Sequence, residues 1–581
     1  MQRCDERWAH KWGFADTQFI VNPDRTVELT GDRYPLCGRK ISQFIPHIEA
    51  GFGAAIDWDN PQLEVAKPSV PPPQCYAPFC DAITAQFPSR CYSTDDGNRL
   101  RHSHGQSMVE EVWKVLYGKL ERIVDLVFYC ESEADAQTLI RLAVEHDVCL
   151  VPYGGGTSVS GALVMPTTEP RMIVAVNTRR MNNIEWIDTE NGRACVQAGT
   201  TGKQLEAALK PAGFTSGHEP DSRELSTVGG WIATNASGMK KNRYGNIEDI
   251  VETITLVTPT GVLSEATPYP RASVGMPLQR LFFGSEGNLG LITKAIIRIR
   301  PLPEEQKYGS LLFPNMSKGT AFLHELSRIN CVPASIRLVD NAQFQFGQML
   351  KPEATGLSKW GKRLQKIYLG KVLKFSSKEV AAATLVLEGS RQEVAYQQKT
   401  IYALAKQYGG LAGGASNGRG GYLLTYAIAY IGQFLMRFHI VGETFETTVA
   451  WSDISRVTES VDAELKAQHR AFNLPGCPYL SYRITQVYPT GVCIYFTMGL
   501  YMKGVEDIPT VFGKIYTALR QVIVDCGGSV SHHHGVGKMR QRFVKQLTAP
   551  ANLEMLKTLK KTSDPSNVFG IGNTVFGPDE D

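Results

Sequence analysis

The clearest pattern of hydrophobic and polar positions lies between residues 120 and 210. Residues 122–130 and 149–153 form apolar runs that predict strands, and residues 131–146 carry apolar positions at helical spacing behind an acidic first turn. The other elements predicted in this region are strands at 172–176, 184–187 and 194–198 and a helix at 202–209. Strands that alternate with helices in this way predict an α+β or α/β domain.

Beyond residue 301 the pattern changes to amphipathic helices, which we predict at 318–329, 378–388 and 393–408. Residues 409–421 are polar and rich in glycine, a composition typical of either a mobile lid or a plain linker. The pattern by itself does not decide between those two structures.

An apolar window of 20 residues follows, from Tyr422 to Val441. Gln433, Arg437 and His439 within it argue against a helix that spans a membrane. Two interpretations stay open: a helix in the protein core, or a wall that faces lipid or touches a membrane surface.

Composition narrows the class of protein only slightly. The chain has 581 residues, enough for two or three domains, of which 43% are hydrophobic and 20% are charged. The formal net charge of +4 is too small to indicate nucleic acid as the main partner. The 12 cysteines are scattered singly, and the N-terminus has no apolar signal region, which favours reduced thiols in an intracellular protein.

The candidate chemistry begins in the run Val148–Gly161 (VCLVPYGGGTSVSG), which contains three consecutive glycines. Without β-carbons in the way, backbone N–H groups can converge on an anion, and Thr157 and Ser158 add hydroxyl donors. A dinucleotide fingerprint starting at Gly154 would need glycine where the chain has Val159, and no P-loop ending is present. The loop predicts a phosphate cradle, with an ordinary glycine turn as the alternative.

Two further clusters are rich in glycine and small donors: Gly217–Gly238, and Gly284–Gly290 just before a strand predicted at 291–299. One extended, phosphate-bearing cofactor explains all three clusters better than three independent turns do. The predicted cofactor-binding residues are Pro152, Tyr153, Gly154, Gly155, Gly156, Thr157, Ser158, Asp221, Ser222, Ser226, Thr227, Thr234, Asn235, Ala236, Ser237, Gly284, Ser285, Glu286, Gly287, Asn288, Leu289 and Gly290.

The loop sequences resemble a known family. VPYGGGTSVSG, HEPDSRELSTVGGWIATNASGMKKNRYGNIEDIV and FFGSEGNLG are similar to the loops of vanillyl-alcohol oxidase-type flavoproteins, which in that family wrap the pyrophosphate, ribityl chain and isoalloxazine of FAD. Within the family, the chain looks very like the branch that makes the ether bond of ether lipids. This resemblance covers nearly the whole chain and includes QKYGS, PASIRL, FQFG, GYLLTYAIAYI and SHHHGVGK.

The resemblance implies non-covalently bound FAD and a reaction without net redox change. The acyl group of 1-acyl-dihydroxyacetone phosphate would be exchanged for a long-chain alcohol through an adduct at the flavin N5, releasing a fatty acid and giving 1-alkyl-dihydroxyacetone phosphate. An FAD-dependent 2-hydroxy-acid dehydrogenase or oxidase stays open as a rival, since it shares the cradle loops. A membrane-associated scaffold without catalysis would explain the apolar window but not Tyr495 and the histidine run.

The fold implied is α+β, with a two-subdomain FAD-binding domain, an α+β cap domain and a mainly helical N-terminal segment. The expected domains are an N-terminal segment at 1–118 with a proline-rich linker near 66–74, the FAD-binding domain at 119–300, the cap or substrate domain at 301–525 with a flexible loop at 409–421, and a C-terminal segment at 526–581 that returns to the flavin site.

The run Ser531–Gly535 carries three histidines. In an extended segment His532 and His534 point one way and His533 the other, so the three cannot easily share one metal ion. No cysteine or carboxylate accompanies them at ligand spacing, and we predict no metal site. Imidazole titrates near neutrality, which favours acid–base and substrate-orienting work, with histidines packed at a strand end as the alternative.

Tyr495 lies in an apolar, strand-like run, where spacing alone would assign an aromatic side chain to the core. The resemblance implies a different role. Tyr495 matches the family residue implicated in proton transfer at the substrate carbon, and the histidine run follows at the matching distance. The predicted catalytic residues are therefore Tyr495, His532, His533 and His534.

The predicted substrate residues are arginines, with one departure from the family pattern. Arg337 and Arg483 match family arginines, and a guanidinium group suits a phosphate well. The family arginine thought to hold the substrate phosphate falls on Gly432 by ungapped alignment. Arg437 is the candidate replacement, although residues five apart on a helix do not share a face. Asn235 also differs from the family pattern while still offering a donor.

The expected partners are acyl-dihydroxyacetone phosphate, a long-chain fatty alcohol, a membrane surface bound peripherally and a second copy in a homodimer, without nucleic acid. By resemblance we expect a peroxisome or a related organelle such as the glycosome. The sequence carries no readable import signal at either end.

Overall fold

The computed structural model of the chain describes residues 6–8, 10–65, 69–264, 268–351 and 375–577, without the side chains of 423 and 425–428. The chain divides into two compact units. Unit 1 comprises Met1–Trp8, Trp12–Leu63 and Pro303–Ser529, and unit 2 comprises Ala9–Lys11, Glu64–Leu302 and Val530–Asp581.

The strands range in length from two to 11 residues. In chain order they are β1 (Phe19–Val21), β2 (Val27–Leu29), β3 (Tyr92–Ser93), β4 (Leu126–Tyr129), β5 (Cys149–Tyr153), β6 (Ile173–Asn177), β7 (Ile184–Asp188), β8 (Arg193–Gln197), β9 (Phe214–Thr215), β10 (Val251–Thr258), β11 (Gly261–Leu263), β12 (Leu291–Arg298), β13 (Arg300–Pro301), β14 (Glu305–Phe313), β15 (Ser335–Val339), β16 (Ala381–Gly389), β17 (Leu411–Ala412), β18 (Ile440–Ala450), β19 (Tyr479–Val487) and β20 (Gly491–Tyr501).

The α-helices are distributed over both units. In chain order they are α1 (Phe44–Phe52), α2 (Ala77–Gln86), α3 (Asp96–Arg101), α4 (Lys114–Tyr117), α5 (Glu133–Glu145), α6 (Gly202–Leu209), α7 (Val228–Ala233), α8 (Lys241–Tyr244), α9 (Ile247–Ile250), α10 (Met316–Arg328), α11 (Asn341–Met349), α12 (Arg391–Gln407), α13 (Ala415–Ile428), α14 (Ile431–Met436), α15 (Ile454–Ala471), α16 (Ile508–Asp525), α17 (Gln541–Leu547) and α18 (Pro550–Ser563).

Unit 2 is built on two main sheets. One has the order β3-β4-β6-β5, with β4, β6 and β5 parallel. The other has the order β11-β10-β12-β8-β7 and is antiparallel. Helix α5 connects β4 to β5 and begins with a capping box, in which Ser132 and Asp135 satisfy each other's backbone N–H groups. This β-α-β arrangement delivers the chain to the first glycine cluster at the end of β5.

Unit 1 contains an antiparallel sheet of seven strands in the order β17-β14-β16-β15-β19-β20-β18. Helix α10 covers one face, where a β-carbon on Gly319 would lie 2.8 Å from Leu338. A separate aromatic core joins the N-terminal residues to the second half of the chain, with Phe44 and Trp58 packed around Phe434. The mixed α+β class of the two units is the class predicted from the sequence.

The helix predicted at 378–388 is wrong. Strand β16 occupies most of this segment and pairs with β14 on one side and β15 on the other. The run Ala381–Ala383 favours a helix locally. Ladder hydrogen bonds on both sides, together with the burial of Leu385 and Leu387, override that preference in a central strand.

The flexible loop predicted at 409–421 is also wrong over most of its length. Strand β17 and the first half of α13 lie within it. The apolar window that follows contains the end of α13, helix α14 and the start of β18, instead of one helix. Tyr430, Phe434 and Phe438 in this window are buried in the aromatic core, which favours the core interpretation over a lipid-facing wall.

The predicted N-terminal segment at 1–118 is divided between the units, because residues up to Leu63 belong to unit 1 and residues from Glu64 onward to unit 2, apart from a short exchange at Ala9–Lys11. Residues 66–68 of the predicted linker lie outside the described residues. The remainder is tied down, since the backbone N–H of Gln74 donates to Asp125 at 2.8 Å. In the part of the chain that the structure describes, no helix combines the length and the apolarity needed to cross a membrane.

Candidate active site

The first glycine cluster forms a tight turn directly after β5. A β-carbon on Gly155 would lie 2.2 Å from the carbonyl oxygen of Leu225, and one on Gly154 would lie 2.4 Å from the hydroxyl oxygen of Thr227. Gly156 has a positive φ of 67°, which favours glycine. The glycines therefore let the first cluster close directly onto the second.

Several predicted hydroxyl groups in the second cluster serve the protein itself. Ser226 accepts the indole N–H of Trp231 at 2.8 Å. Thr227 caps helix α7 by accepting the N–H of Gly230, and Ser237 donates to Asn246 at 2.6 Å. These contacts hold the shape of the loop, and the hydroxyl groups of Ser226, Thr227 and Ser237 serve the protein in this way.

The third cluster packs against both of the others. The N–H of Gly284 donates to the carbonyl of Ile232 at 3.1 Å, next to the second cluster. A β-carbon on Gly287 would lie 3.2 Å from Pro152 of the first cluster. Asn288 is fully buried, and its side-chain oxygen accepts the backbone N–H of Asn573 at 3.0 Å. The three predicted loops meet in unit 2, and Asn288 acts there as part of the scaffold.

Asn235 and Glu286 adopt left-handed backbone conformations, with φ of 50° and 45°. Asparagine tolerates this region, whereas glutamate is strained in it. Strain of this kind concentrates at functional sites. Among the other predicted cofactor-binding residues, Asp221 lies on a turn and its side chain is exposed.

His218 lies at the start of the second cluster and is 3% exposed. Its ring packs against Trp231, and neither ring nitrogen has a hydrogen-bond partner among the residues that the structure describes. Burial lowers the pKa of His218 to about 3, so the imidazole is neutral at physiological pH. A buried group without a partner indicates a ligand or a bound water, because leaving its hydrogen bonds unmade is costly.

The first cluster rests on the end of helix α3 and the residues that follow it, up to residue 104, which carry no chemical signature in the sequence. The ring of His102 packs on Tyr153 with 4.3 Å between centroids. Its Nδ1 lies 2.7 Å from the carbonyl oxygen of Asn98 and must donate there. Nε2 then accepts from the amide of Asn177 at 2.7 Å. His102 is therefore a neutral support for Tyr153.

A buried glutamate completes this support. Glu111 is fully buried, and its carboxylate accepts the N–H groups of Gly105 at 2.6 Å and Ser107 at 3.0 Å. The intervening residue, Gln106, donates its N–H to the carbonyl of Ser158 in the first cluster at 2.6 Å. No short motif marks these residues in the sequence, because their partners come from distant parts of the chain.

The histidine run belongs to unit 2, like the three loops. Residues 532–534 form a bend, and their rings touch in sequence, with centroids 5.0 Å apart for His532 and His533 and 4.4 Å for His533 and His534. The expectation that His533 points away from its neighbours is therefore wrong. The Nδ1 atoms of His532 and His533 lie 2.8 Å apart, which requires one to carry a proton and the other a lone pair.

Tyr495 lies in β20 of unit 1, opposite Arg483 of β19 and Glu446 of β18. The guanidinium carbon of Arg483 is 4.0 Å from the centroid of its ring, and its hydroxyl donates to Thr444 at 3.1 Å. A cation close to the ring stabilises negative charge that develops on the phenol oxygen. The hydroxyl group of Tyr495 thus makes a polar contact although the residue lies in a buried strand.

Two of the predicted arginines share the face of the sheet that carries Tyr495. Val339 is opposite Arg483, and Arg337 lies two residues before Val339, so the two arginines point to the same side. Gly432 lies inside helix α14, and Arg437 follows the end of that helix, where its carbonyl accepts the N–H of Gln62 at 2.6 Å.

Two family models match most of the chain. A model described as an FAD binding domain matches residues 124–267. A second, described as the C-terminal domain of FAD linked oxidases, matches residues 302–573. The first match contains the glycine cradle and the second cluster, so the phosphate cradle predicted from the sequence belongs to an FAD-binding domain.

An alkyldihydroxyacetonephosphate synthase of Caenorhabditis elegans is 38% identical to the chain over 567 residues, which cover 97% of this chain and 94% of the relative. The chain belongs to the alkyldihydroxyacetonephosphate synthase family. A synthase of this name from Trypanosoma brucei brucei is 28% identical over 89% of the chain and 83% of its own length. The resemblance drawn from the loops and the histidine run is confirmed.

Solved structures support the assignment of the chain to the alkyldihydroxyacetonephosphate synthase family. One structure of such a synthase superposes with a TM-score of 0.83 at 25% identity, covering 96% of both chains. A p-cresol methylhydroxylase superposes with a TM-score of 0.63 at 14% identity over 86% of this chain and 97% of its own, which shows a shared fold.

The residues of this synthase-family chain fit FAD. The cradle glycines bring two loops within contact distance where a β-carbon would block them, and His218 offers a buried imidazole that lacks a protein partner in the described part of the chain. Neutral imidazole and backbone N–H groups are suitable donors for phosphate and flavin oxygens.

Proposed function

We propose that this chain forms the ether bond of ether lipids, by exchanging the acyl chain of 1-acyl-dihydroxyacetone phosphate for a long-chain fatty alcohol and releasing a fatty acid. The observation that carries the proposal is the similarity to an alkyldihydroxyacetonephosphate synthase at 38% identity over 97% of the chain. That similarity extends over the cofactor loops and over the sheet with Tyr495.

When bound, FAD supplies covalent catalysis without net electron transfer. Backbone N–H groups of the first cluster would bind its pyrophosphate, and residues of the second and third clusters would hold the remainder of the cofactor. His218, a neutral imidazole, would form a hydrogen bond with it. The binding is non-covalent.

Tyr495 moves the proton at the reacting substrate carbon. Thr444 holds its hydroxyl group, and Arg483 beside its ring stabilises the negative charge that develops when the proton leaves. His532 and His533 act as a hydrogen-bonded pair, in which the tautomer of one ring fixes the tautomer of the other. The ring of His534 packs against His533. The three histidines orient the substrate and take part in acid–base steps.

The substrate phosphate is bound by arginine. Arg337 is 8% exposed and lies on the same sheet face as Tyr495, which supports it as the main phosphate residue in a chain that has glycine at position 432. Arg437, half-buried after α14, is the second candidate. Arg483 is engaged with the ring of Tyr495 and contributes mainly through the tyrosine.

The proposal is tested by anaerobic incubation of the purified, FAD-loaded protein with an acyl-dihydroxyacetone phosphate and a radiolabelled long-chain alcohol, without an electron acceptor. Label in a base-stable ether lipid over many turnovers is the expected result. The rival is a 2-hydroxy-acid dehydrogenase, since a D-lactate dehydrogenase of Archaeoglobus fulgidus is 25% identical over 76% of the chain. Bleaching of the flavin by a 2-hydroxy acid, with no labelled ether, would favour that rival.

The role of Tyr495 has its own test. Tyr495→Phe keeps the ring and removes the hydroxyl, so turnover is expected to be abolished while FAD stays bound. Absorbance of the bound flavin and the radiolabel assay measure the two properties separately. Thr444→Val, which removes only the hydroxyl partner, is the milder companion. Wild-type turnover in Tyr495→Phe would contradict the assignment.

The remaining expectations concern location and assembly. We propose peripheral attachment to a membrane, assembly as a homodimer and residence in a peroxisome or a related organelle, all by analogy with the resemblance in sequence. Long-chain substrates support attachment to a lipid surface. Subcellular fractionation and analytical ultracentrifugation test the location and the dimer.

A further inference from the structure

Glu286 occupies a backbone position that glycine would fill more easily. Its φ is 45°, in the left-handed region, where a residue with a β-carbon is disfavoured by about 1–2 kcal/mol. Its neighbours Gly284 and Gly287 have positive φ values as well, so the whole turn follows this path. A glutamate in such a place suggests that its side chain does something that glycine cannot do.

The side chain of Glu286 turns to the segment that follows the histidine run. One carboxylate oxygen accepts the N–H of Val536 at 2.6 Å, and the other accepts the N–H of Gly537 at 2.7 Å. The residue is 7% exposed. Burial raises the pKa of Glu286, and the two N–H groups, with the positive charges of Arg540 and Lys538, oppose that rise. Hydrogen bonds to a buried carboxylate are stronger than neutral ones.

Gly535 makes this contact possible from the other side. It has a φ of 79°, and a β-carbon at this position would lie 2.7 Å from the Oε1 atom of Glu286. The residue next to His534 is therefore free of a side chain at the point where the carboxylate approaches. Glycine and glutamate together form one close contact.

The backbone of Glu286 connects the remaining parts of the site. Its N–H donates to the carbonyl of Ala233 in the second cluster at 2.9 Å, and its carbonyl accepts from the amide of Asn573 at 3.1 Å. The next residue after that asparagine, Thr574, donates its N–H to the carbonyl of Gly537 at 3.0 Å. One residue thus joins a cofactor loop, the histidine segment and the C-terminal segment.

We propose that Glu286 is a positioning residue for the histidine run, which it holds against the cofactor loops through the N–H groups of Val536 and Gly537. Both oxygens of the Glu286 side chain accept backbone N–H groups of this segment. The inference rests on the proposed function for the catalytic role of the histidines. The positioning itself follows from the geometry alone.

The test uses two variants of the contact and one matched control. Glu286→Gln keeps the shape but places an NH₂ group against one of the two N–H donors. Gly535→Ala displaces the carboxylate from the other side. Asp564→Asn is the control, because Asp564 is also buried and also accepts two backbone N–H groups, from Val568 and Phe569 at 2.8 Å each.

Each FAD-loaded protein is treated with diethyl pyrocarbonate, and acylation of His532, His533 and His534 is followed by mass spectrometry. FAD content, kcat and KM are measured in parallel. For Glu286→Gln and Gly535→Ala we expect retained FAD, faster acylation and a kcat lowered about 100-fold with KM little changed, since a misplacement near 1 Å costs that much in rate. Asp564→Asn should acylate at the wild-type rate.

Equal acylation in Glu286→Gln and Asp564→Asn would overturn the inference, as would a loss of FAD that accounts for the lost activity. Hydrogen exchange of the wild-type holoprotein gives a second test that does not depend on a variant folding correctly. The amides of Val536 and Gly537 should exchange hydrogen as slowly as those of strand β5, and exchange at the rate of an open loop would contradict the contact. If the protein makes no ether lipid, the proposed function fails. The rate of histidine acylation and the rate of amide hydrogen exchange would still show whether Glu286 positions the histidine run.

Discussion

Two glycine-rich segments of this chain are similar in sequence and different in structure. Residues 154–156 form a tight turn between a strand and the next loop of unit 2. Residues 413–421 include the first half of helix α13 in unit 1, which packs on strands β14 and β16. Composition alone favours a flexible loop for the second segment.

One glycine in each segment has the same physical reason. A β-carbon would lie 2.2 Å from a backbone oxygen of Leu225 at Gly155, and 2.1 Å from a backbone oxygen of Gly309 at Gly418. In the first case another loop approaches, and in the second a strand lies under a helix. A glycine-rich segment can therefore reflect the close approach of another backbone, and it need not be mobile.

The largest effect is expected for Gly155→Ala. The new β-carbon would push the first and second clusters apart, and overpacking of this size costs about 3 kcal/mol, which corresponds to about a 100-fold loss of FAD affinity. Fluorescence titration of the apoprotein with FAD measures it. A variant that binds FAD as the wild type does would show that the loops do not form the cradle.

Gly418→Ala should produce the opposite pattern. Its β-carbon would collide with the backbone of strand β14, so we expect unit 1 to lose about 1–3 kcal/mol of stability while FAD binding stays unchanged. Thermal unfolding followed by circular dichroism, together with FAD content, measures both properties. Loss of FAD in this variant would break the distinction between the two glycine segments.

The free energy of unfolding should depend on pH through His218, which lies among the cofactor loops of unit 2. The pKa of His218 is about 3 in the folded protein and near 6.5 for an ordinary histidine, so below pH 6.5 the unfolded chain binds the extra proton. The free energy of unfolding then falls as the pH drops, by up to about 1.4 kcal/mol per pH unit. Denaturant titrations of His218→Phe and wild-type apoprotein between pH 6.5 and 4 give the free energy of unfolding at each pH. This free energy should fall less steeply with decreasing pH in His218→Phe than in the wild type. An equally steep fall in both proteins would contradict the buried neutral imidazole.

The smallest effect, and the only gain, is expected for Gly420→Ala. Gly420 lies inside α13, and beyond its chain neighbours and the backbone of its own helix no atom lies within 4 Å of the place that a β-carbon would take, so alanine is accommodated. Alanine in a helix interior is more favourable than glycine by about 1 kcal/mol. An increase in thermal stability is expected, and it serves as the control for Gly418→Ala. A decrease would indicate that residues 415–421 are not helical.

Local patterns predicted much of the FAD-binding portion correctly. Strand β5 and helix α6 have the bounds expected from the sequence, because a short buried strand and a capped amphipathic helix are specified by neighbouring residues. The pattern of strand β16 wrongly predicts a helix, because its strand character comes from partners on β14 and β15 that are distant in the sequence.

The site was predicted unevenly for the same reason. Motifs singled out the three loops, Tyr495 and the histidine run as candidates. They did not reveal that Glu111 and His102 support the first loop, or that the carboxylate of Glu286 turns to Val536 and Gly537. Those contacts join residues up to 251 positions apart in the chain, and no short pattern records them.

The sequence by itself determined the family and the cofactor and supplied candidate residues for the chemistry, since glycine loops, a tyrosine and three histidines are local features. The tertiary structure decided which glycines form a cradle and which form a helix surface, and which arginine lies beside the ring of Tyr495. The physical reason is that burial and hydrogen bonding depend on what approaches a residue in space, and that is set by the packing of the whole unit.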